Sequence, residues 1–432
     1  MKKLFTILLV VLMAVSLCAC QKQQQGGNSK IVTELKEPVT ITVWNTYTAH
    51  QQEAFQAMVD GFNASQDMIT VKYEVQAYAD FDSNLIQAVR NGTGPNIAPR
   101  YCSTAAGYAD EGLLVNLYDY ISNKKVGIEN YKDNLVGKEY EEITQWGEDK
   151  IYVYPVIITS EVLYYNKTLF NELGLEAPKT WEELTEACKK IYAEKNIPGW
   201  GSDSETDTMI DRVIQLGSGY INGTTGDLEV DEAKVSEVLS WYVEGVQEGY
   251  FRLAGTDYYH SGPFTQGNVA SYIGSSAGAG HVLPYADFEV GVTVIPQSGN
   301  EVFAPAWGGG LVVFDKTAEE NYASYCFLKY LLNDDVLAEW AIEFGAMPAT
   351  KTALNTEKFQ KHASTNVVAQ ALIETAPCIN WVESVDGADD VRNAFGKAVD
   401  SCCADDSGTE FATLIKNAVD TFFKEAKAAL GK

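Results

Sequence analysis

The sequence predicts a mixed α/β fold built on a largely parallel sheet. Short apolar segments of period two alternate along the chain with longer segments of helical period. The first such repeat is a strand at Val39–Val43, a helix at Phe55–Phe62 and a second strand at residues 69–75. The 432 residues are 46% hydrophobic and 21% charged, which allows two or three domains with real cores.

The same alternation continues to the end of the chain. Further strands are predicted at IYVYP near residue 154 and at the segments NVASYIG, EVGVTVIP and GGLVVF. Further helices are predicted over Asp80–Arg90, after Thr180, and over Tyr322–Leu332, Val336–Phe344 and Glu410–Leu430. The best-defined helix start is Thr180-Trp-Glu-Glu183, a capping box with Thr180 as the N-cap.

The N-terminal residues predict export and anchoring. Lys2 and Lys3 precede an apolar stretch that is too short for a comfortable membrane span, as in a secretory signal. The segment Leu17-Cys18-Ala19-Cys20 resembles the lipobox of bacterial lipoproteins, although Cys18 stands where a small residue is usual. We therefore expect residues 1–19 to be a signal peptide, Cys20 to be acylated, and residues 20–37 to be a flexible tether on the extracellular face of the membrane. The alternative is an ordinary signal with incidental cysteines.

Charge and cysteine content restrict the partners. A net charge of −27 repels nucleic acid and anionic lipid, so neither is an expected partner of the globular part. Six cysteines remain after the leader, and we expect Cys378 to pair with a member of the Cys402–Cys403 couple, while Cys188 and Cys326 are expected to be buried thiols. A structural metal site is not expected, since the chain has no Cys-x-x-Cys pair and four histidines.

One segment resembles a catalytic motif. Gly274-Ser275-Ser276-Ala277-Gly278 fits the G-x-S-x-G nucleophile elbow of hydrolases and follows a predicted strand. The residues that follow are rich in glycine and include Pro284, which disfavours the long helix that an elbow requires. His281 is also too close to Ser276 in sequence for the usual Ser, acid, His order. A secreted serine hydrolase is therefore kept only as a minor alternative.

Other motifs for chemistry are incomplete. Asp203, Glu205 and Asp207 resemble the start of a calcium loop, but Thr208 and Ile214 stand where glycine and glutamate are required, so we expect a solvated acidic loop. The sequence has no phosphate-binding loop and no dinucleotide fingerprint after a strand. We expect no cofactor and no catalytic residue.

Aromatic residues near predicted strand ends favour a binding cleft. Aromatic rings stack on the apolar faces of sugars, while amides, hydroxyls and carboxylates bind sugar hydroxyl groups. Each ring taken alone belongs more often to a core than to a ligand contact. The residues in question are Trp44, Tyr47, Tyr101, Trp307 and Trp381.

Several segments, in order, resemble the extracellular solute-binding proteins of bacterial ABC importers, a family that includes maltose- and glycerol-phosphate-binding types. The most specific is YPVIITSEVLYYNKTLFNELGLEAPKTWEEL, which is similar to the family's Tyr-Tyr-Asn-Lys and Pro-x-Thr-Trp-x-Glu-Leu pattern. The others are TVWNTY, RNGTGPNI, FTQGNVASYIGSSAG, EVGVTVIP, WGGGLVVF and FGAMPAT. The resemblance covers nearly the whole mature chain.

This resemblance implies a two-lobed α/β fold of the type II binding-protein class, with three chain crossings and a ligand cleft between the lobes. One lobe would hold residues 38–157 and 292–334, and the other residues 158–291 and 335–432. The expected partners are a small-molecule ligand and the permease subunits of an ABC transporter, and the protein is expected to be a monomer. An adhesin or structural surface protein is a second alternative.

The resemblance also implies which residues line the cleft. Glycines at 308–310 would let backbone approach the ligand closely, although a tight turn before a strand explains them as well. The expected ligand-binding residues are Asn45, Tyr47, Tyr101, Thr159, Ser160, Glu161, Ser275, Ser276, Trp307, Gly308, Gly309 and Trp381.

The sequence differs from the family pattern at positions that are expected to determine ligand specificity. The tryptophan of the maltose type is replaced by Ser275 or Ser276, so its stacking pattern is not inherited. Near Trp381 the sequence offers Arg392 as the one nearby cation, against the acidic residues Glu383, Asp386, Asp389 and Asp390. An anionic ligand is therefore disfavoured. We expect a neutral or cationic solute, first a mono- or oligosaccharide, with a glycerol-phosphate or polyol type as the alternative.

Overall fold

The structure is a computed structural model, and it describes residues 31–432 except 48, 78–79, 224, 300–301, 383–384, 386 and 406, with backbone alone at 49 and 307–309. The predicted signal peptide, Cys20 and the start of the predicted tether lie outside the described residues. Within the described part, no helix is long and apolar enough to cross a membrane.

The strands of the described residues are short apart from two. They are β1 (Val39–Asn45), β2 (Ile69–Val75), β3 (Ile97–Arg100), β4 (Val153–Asn166), β5 (Trp200–Ser202), β6 (Phe251–Arg252), β7 (Ser271–Ser275), β8 (Val290–Val294), β9 (Ala304–Val313), β10 (Met347–Pro348) and β11 (Ile379–Asn380).

Helices lie between and after these strands. They are α1 (Ala49–Ser65), α2 (Phe81–Arg90), α3 (Cys102–Asp110), α4 (Tyr118–Ile121), α5 (Tyr131–Asn134), α6 (Glu139–Ile143), α7 (Lys167–Glu172), α8 (Trp181–Lys195), α9 (Glu205–Gln215), α10 (Glu232–Gln247), α11 (Ser261–Thr265), α12 (Ala318–Leu331), α13 (Asp334–Phe344), α14 (Lys351–Leu354), α15 (Glu357–Ala363), α16 (Val367–Thr375), α17 (Ala388–Cys403) and α18 (Phe411–Ala429).

The strands pair in the order β2-β1-β3-β9-β4-β7-β5-β6. Parallel pairs join β1 to β2 and β3, and β5 to β6 and β7. In contrast, β4 is antiparallel to β7, β8, β9 and β10. The expectation of a largely parallel sheet was therefore wrong in the middle of the order, where β4 and β9 run against their neighbours and the sheet is mixed.

Strand β4 connects two groups of strands. The first group is β1, β2, β3 and β9, and the second group is β5, β6, β7 and β8. The first half of β4, Val153–Ser160, pairs with β9, and its second half pairs with β7 and β8. The change of partner falls between Ser160, which lies opposite Ala306, and Glu161, which lies opposite Ser275. Residues 153–164 of this strand are all buried, because helices or strands cover both of its faces.

Separate apolar clusters flank the two groups. Beside β1 and β3, Phe55 and Phe62 of α1 pack edge-on against Phe327 of α12. Beside β5 and β7, Trp181, Trp200 and other large side chains of α8, α10, α17 and α18 form one continuous buried cluster. Each group of strands therefore has an apolar core beside it.

Most helices predicted from the sequence are confirmed within one to four residues at each end. The capping box is confirmed as well: the Thr180 hydroxyl accepts a hydrogen bond from the Glu183 amide at 3.2 Å, and the Glu183 carboxylate accepts one from the Thr180 amide at 3.3 Å.

The expected disulfide was wrong. Cys378, Cys402 and Cys403 are free thiols in this structure, and Cys188 is buried as expected.

The capping box allows a local test of stability. Thr180→Ala removes the side-chain acceptor at the start of α8 and should lower the free energy of unfolding by about 1 kcal/mol. Thr180→Ser keeps the hydroxyl and is the matched control. Urea unfolding followed by tryptophan fluorescence measures both, and equal stabilities for the Ala and Ser variants would contradict the role of this cap.

Candidate functional site

The site forms where β4 changes partner. Thr159 lies opposite Trp307 of β9, and the Ser160 hydroxyl donates to the Pro305 carbonyl at 2.8 Å. Glu161, the next residue, lies opposite Ser275 at the end of β7. Three of the predicted site residues, Thr159 to Glu161, therefore sit at the boundary between the two groups of strands, and all three are buried.

Glu161 belongs to a cluster of buried carboxyl groups. Its side chain is hydrogen bonded to that of Asp211 on α9, and the two residues are 4% and 2% exposed. Burial raises the pKa of Glu161 well above its usual range, and the neighbouring Asp211 and Asp207 raise it further, whereas Arg392 lowers it. Burial likewise raises the pKa of Asp211. Two carboxyl groups this close share a proton rather than ionise together.

Asp207 is neutralised by an ion pair. The Arg392 guanidinium of α17 donates from Nε to Asp207 Oδ1 at 2.8 Å and from Nη2 to Asp207 Oδ2 at 2.6 Å. Nη2 also lies 3.3 Å from the hydroxyl of Ser204, the N-cap of α9. This two-pronged geometry is the strongest that a carboxylate and a guanidinium can form.

A small cavity of about 60 Å³ lies against this cluster. Its volume has room for a few water molecules and is far below the roughly 300 Å³ of a typical small-ligand site, so a sugar-sized solute can enter only if the walls separate. The lining residues are Ser103, Asp207, Ile210, Asp211, Tyr220, Phe303, Pro305, Ala306, Asn380, Trp381, Val382, Ala388, Asp389 and Arg392.

Several buried polar atoms at the cavity have unused hydrogen-bonding capacity. Among the described residues, the Tyr220 hydroxyl has no hydrogen-bond partner, and Asp211 Oδ2 and Glu161 Oε2 have none beyond the hydrogen bond between their own carboxyl groups. Arg392, Asp207 and Asp389 are the charged groups that act on the Tyr220 hydroxyl, which places this hydroxyl on the cavity side of the ring. Buried polar groups without a partner are costly, and a ligand with hydroxyl or amino groups would satisfy them.

The predicted residues of the first group of strands lie at the ends of β1 and β3. Asn45 is buried, and its Oδ1 accepts from the Tyr47 amide at 3.1 Å and from the Tyr73 hydroxyl at 2.8 Å. Its Nδ2 is buried without a partner in the described part of the chain. The half-buried Tyr47 ring packs against Trp340, with ring centroids 5.1 Å apart. Tyr101 is 45% exposed and caps α3.

The predicted residues of the second group follow β7. Ser275 is exposed, and its hydroxyl accepts from the Ala277 amide at 3.2 Å. Ser276 is buried, with no partner for its hydroxyl among the described residues. It begins a 3-10 helix, Ser276–His281, rather than the long helix of a nucleophile elbow, and His281 is exposed. These positions therefore lack the geometry of a hydrolase triad, and their role in ligand binding stays a prediction.

The last predicted residues belong to β9 and to the segment after β11. Trp307, Gly308 and Gly309 are part of β9, opposite Thr159, Ile158 and Ile157, and so do not form a turn before a strand. Trp381 is half-buried and lines the cavity next to Asn380. The structure thus brings Trp381 to the carboxyl cluster, while Tyr47 is enclosed mainly by core aromatic rings.

Sequence reasoning missed Asp207, Asp211 and Tyr220. The expected solvated acidic loop was wrong: residues 205–215 form α9, and Asp207 and Asp211 lie one helical turn apart on its buried face. The pattern Ser204-x-x-Asp207 before an apolar run is a helix start that could have revealed α9. The burial of the acids depends on Arg392, which is 185 residues away, so no local signal could show it.

Two other observations bear on the choice of site. A groove of about 450 Å³ lies along α1 and α13, but none of the predicted site residues lines it. In the described residues, no group of three or more His, Cys, Asp or Glu side chains has the geometry to hold a metal ion.

Comparison with known proteins identifies the class. The family model for bacterial extracellular solute-binding proteins matches residues 57–366, which is well over half of the chain. The chain therefore belongs to the bacterial extracellular solute-binding protein family, and the resemblance seen in the sequence is confirmed.

Individual relatives are distant but cover nearly the whole chain. The sn-glycerol-3-phosphate-binding periplasmic protein UgpB of Yersinia pestis is 23% identical over 389 residues, which is 84% of this chain and 85% of the relative. The cyclic alpha-maltosyl-1,6-maltose binding protein of Arthrobacter globiformis superposes with a TM-score of 0.77 at 24% identity, over 91% of this chain and 99% of that structure. UgpB of Mycobacterium tuberculosis in complex with glycerophosphocholine superposes with a TM-score of 0.76 at 18% identity, over 91% and 98%.

These structures establish the fold. At such identities a superposition shows a common architecture and nothing about the ligand. The predicted two-lobed α/β fold of the periplasmic-binding-protein class is confirmed.

The ion pair at the cavity can be tested by mutation. Arg392→Met leaves Asp207 buried without its partner and should lower the free energy of unfolding by about 2–3 kcal/mol, less than for a fully enclosed pair because the Arg392 side chain is 35% exposed. The double variant Arg392→Met/Asp207→Asn should recover most of this loss, because no unpaired charge remains. Lys416→Met, at the exposed Lys416–Asp420 pair, is the control and should change the free energy by less than about 0.5 kcal/mol. Equal losses for Lys416→Met and Arg392→Met in urea unfolding would contradict the assignment.

Proposed function

We propose that this protein is the solute-binding lipoprotein of an ABC importer. It captures a small polar solute, first a mono- or oligosaccharide, by closure of its lobes, and delivers it to a membrane permease without chemical change. Besides the family, one observation supports this proposal: among the described residues, the Tyr220 hydroxyl at the cavity and Asn45 Nδ2 at the end of β1 are buried without a hydrogen-bond partner, and the buried Glu161–Asp211 pair is hydrogen bonded only within itself. A bound solute would satisfy such atoms.

The lobes of the proposal are residues 38–157 with 292–334 and residues 158–291 with 335–432. The change of β4 pairing between Ser160 and Glu161 lies three residues after the first of these boundaries, whereas β8 pairs with the second half of β4, which favours grouping residues 292–294 with residues 158–291. Two lobes joined by continuous strands can rotate about them, and the cavity of about 60 Å³ implies that such rotation must precede ligand entry.

Binding without catalysis is part of the proposal. The buried carboxyl groups are arranged around hydrogen bonds and an ion pair, and Ser276 begins a 3-10 helix. An esterase activity that disappears in Ser276→Ala would overturn this part.

A glycerol-phosphate ligand is the second candidate, because relatives such as UgpB of Yersinia pestis are named for it. The electrostatics of the cavity oppose a glycerol-phosphate ligand. Three aspartates line the cavity, Asp207, Asp211 and Asp389, and the guanidinium of Arg392 already binds Asp207. A dianionic phosphate would face a negative potential. A neutral sugar or polyol meets no such penalty.

A thermal-shift screen tests the function. Sugars, polyols, glycerol phosphates and peptides are added to the protein, and a ligand at 100 times its Kd should stabilise the folded state by about 2.7 kcal/mol. Trp381→Ala should weaken the response to the identified sugar by at least about tenfold, because the ring lines the cavity. Trp146, which packs on Tyr152 outside the cavity, provides the control Trp146→Ala. No response across the whole panel would contradict the proposed function.

Membrane anchoring through Cys20 is the remaining part of the proposal. Two acyl chains on one cysteine suffice for stable attachment, since each buried methylene contributes about 0.8 kcal/mol. Cys20→Ala should therefore move the protein from the membrane fraction to the medium or the soluble extracellular fraction, without changing ligand affinity. Mass spectrometry of the mature N-terminus checks the modification directly, and an unmodified Cys20 would rule out the anchor.

A further inference from the structure

The cavity beside Asp211 combines three carboxylates with three aromatic rings. Asp207, Asp211 and Asp389 line it together with Tyr220, Phe303 and Trp381. The cation among the lining residues is Arg392, which binds Asp207 through two hydrogen bonds. Three carboxylates and one guanidinium leave two formal negative charges around a volume of about 60 Å³.

Independent observations show that this cluster lacks a partner. The Tyr220 hydroxyl and Asp211 Oδ2 both belong to residues more than nine-tenths buried. In the described part of the protein the Tyr220 hydroxyl has no hydrogen-bond partner, and Asp211 Oδ2 and Glu161 Oε2 have none beyond the hydrogen bond that joins their two carboxyl groups. Two of these three atoms are carboxyl oxygens, which accept hydrogen bonds when ionised, and the third is a hydroxyl that accepts as readily as it donates.

The chemistry of these atoms points to a donor-rich, positively charged group. A protonated amino group offers donors only, and its positive charge is attracted both to carboxylates and to the faces of aromatic rings; a quaternary ammonium group has no donors but its charge is attracted in the same way. A metal ion is a poorer fit, because no suitable group of three ligands exists among the described residues. A phosphate would add acceptors and negative charge where both are already in excess.

We propose that the cavity beside Asp211 and Tyr220 is a subsite for a protonated amino or quaternary ammonium group carried by a small hydroxylated solute. This inference rests on the proposed function and narrows its ligand class. The aromatic rings contact the apolar surface around the nitrogen, Asp211 and Tyr220 take its donors where it has them, and the Asp207–Arg392 pair holds one wall in place.

Binding of such a group is coupled to a proton. The groups that face the Glu161–Asp211 pair are Asp203 after β5, which accepts from the His260 amide at 2.6 Å, Asp207 on the same helix α9, and Arg392 on α17. In the free protein the pair holds a proton, because burial raises the pKa of both carboxyl groups. An ammonium group favours the doubly ionised pair, so its binding releases a proton, and its affinity rises with pH until the pair is ionised in the free protein.

Matched pairs of ligands test the inference. Glucosamine is compared with glucose, and choline with its neutral isostere 3,3-dimethyl-1-butanol, by calorimetry at pH 5.5 and 7.5 in two buffers of different ionisation enthalpy. We expect at least one of the two nitrogen-containing ligands to bind ten- to a hundredfold more tightly than its neutral partner, more tightly at pH 7.5 than at pH 5.5, and with release of protons. The two pairs distinguish a primary amine from a quaternary one.

Variants locate the subsite. Asp211→Asn should weaken the binding of the nitrogen-containing ligand at least tenfold and abolish the release of protons, and Tyr220→Phe should weaken the binding of a primary amine several-fold. Tyr242→Phe is the matched control, because the Tyr242 hydroxyl is also buried without a partner among the described residues but lies in the core and does not line the cavity. If Asp211→Asn fails to fold, Tyr220→Phe and the pH profile of the unaltered protein still decide the question.

The outcomes separate this inference from the function on which it rests. Neutral ligands that bind as tightly as their nitrogen-containing partners, with no release of protons, would overturn the subsite and leave the solute-binding function intact. Absence of binding by both glucosamine and choline would overturn it as well. Failure of the proposed function itself is a different result, the absence of any response in the wider screen of sugars, polyols, glycerol phosphates and peptides.

Discussion

The architecture depends on one strand that serves two sets of neighbours. The fourteen residues of β4 pair first with β9 and then with β7 and β8. Backbone hydrogen bonds leave little freedom in where the partner changes, because every buried amide and carbonyl must be paired. At that point the chain carries Glu161, so the constraint on the backbone places an acid where water is excluded.

The acid is tolerated because its surroundings compensate. Glu161 shares a hydrogen bond with Asp211, and Asp207 is neutralised by Arg392. These contacts join β4, α9 and α17, which lie far apart in the sequence. Such a network contributes little net stability compared with an apolar core, but it supplies the polar atoms that a solute requires. The cost of burying these groups is consistent with a binding site rather than with packing alone.

Local signals predicted much of the fold. The capping box at Thr180, the helices at α12, α13 and α18, and the strands β1 and β2 all follow from patterns within about twenty residues. The direction of pairing around β4 was missed, because an apolar segment contains no information about which neighbour it meets. The family resemblance carried the two-lobed arrangement, which periodicity alone could not have shown.

The site was predictable only in part. Trp381 and Glu161 were expected from the sequence and lie at the cavity or beside it. Tyr47 shows the limit of reasoning from aromatic residues at strand ends, since its ring packs among Phe55, Trp340 and Phe344. Asp207 was predicted to lie in a solvated loop because acids are usually exposed, and its burial depends on a guanidinium 185 residues further along the chain.

The small volume of the cavity has a kinetic consequence. A hollow of about 60 Å³ cannot admit a sugar-sized molecule by diffusion into a preformed site. Under the proposed function, encounter with the solute is productive only during the fraction of time that the walls stand apart, and the observed association rate constant would be the diffusional one multiplied by that fraction. Once the walls have closed around the solute, they would also slow its dissociation. A low association rate constant would then be accompanied by a low dissociation rate constant, so that affinity is kept although capture is slow.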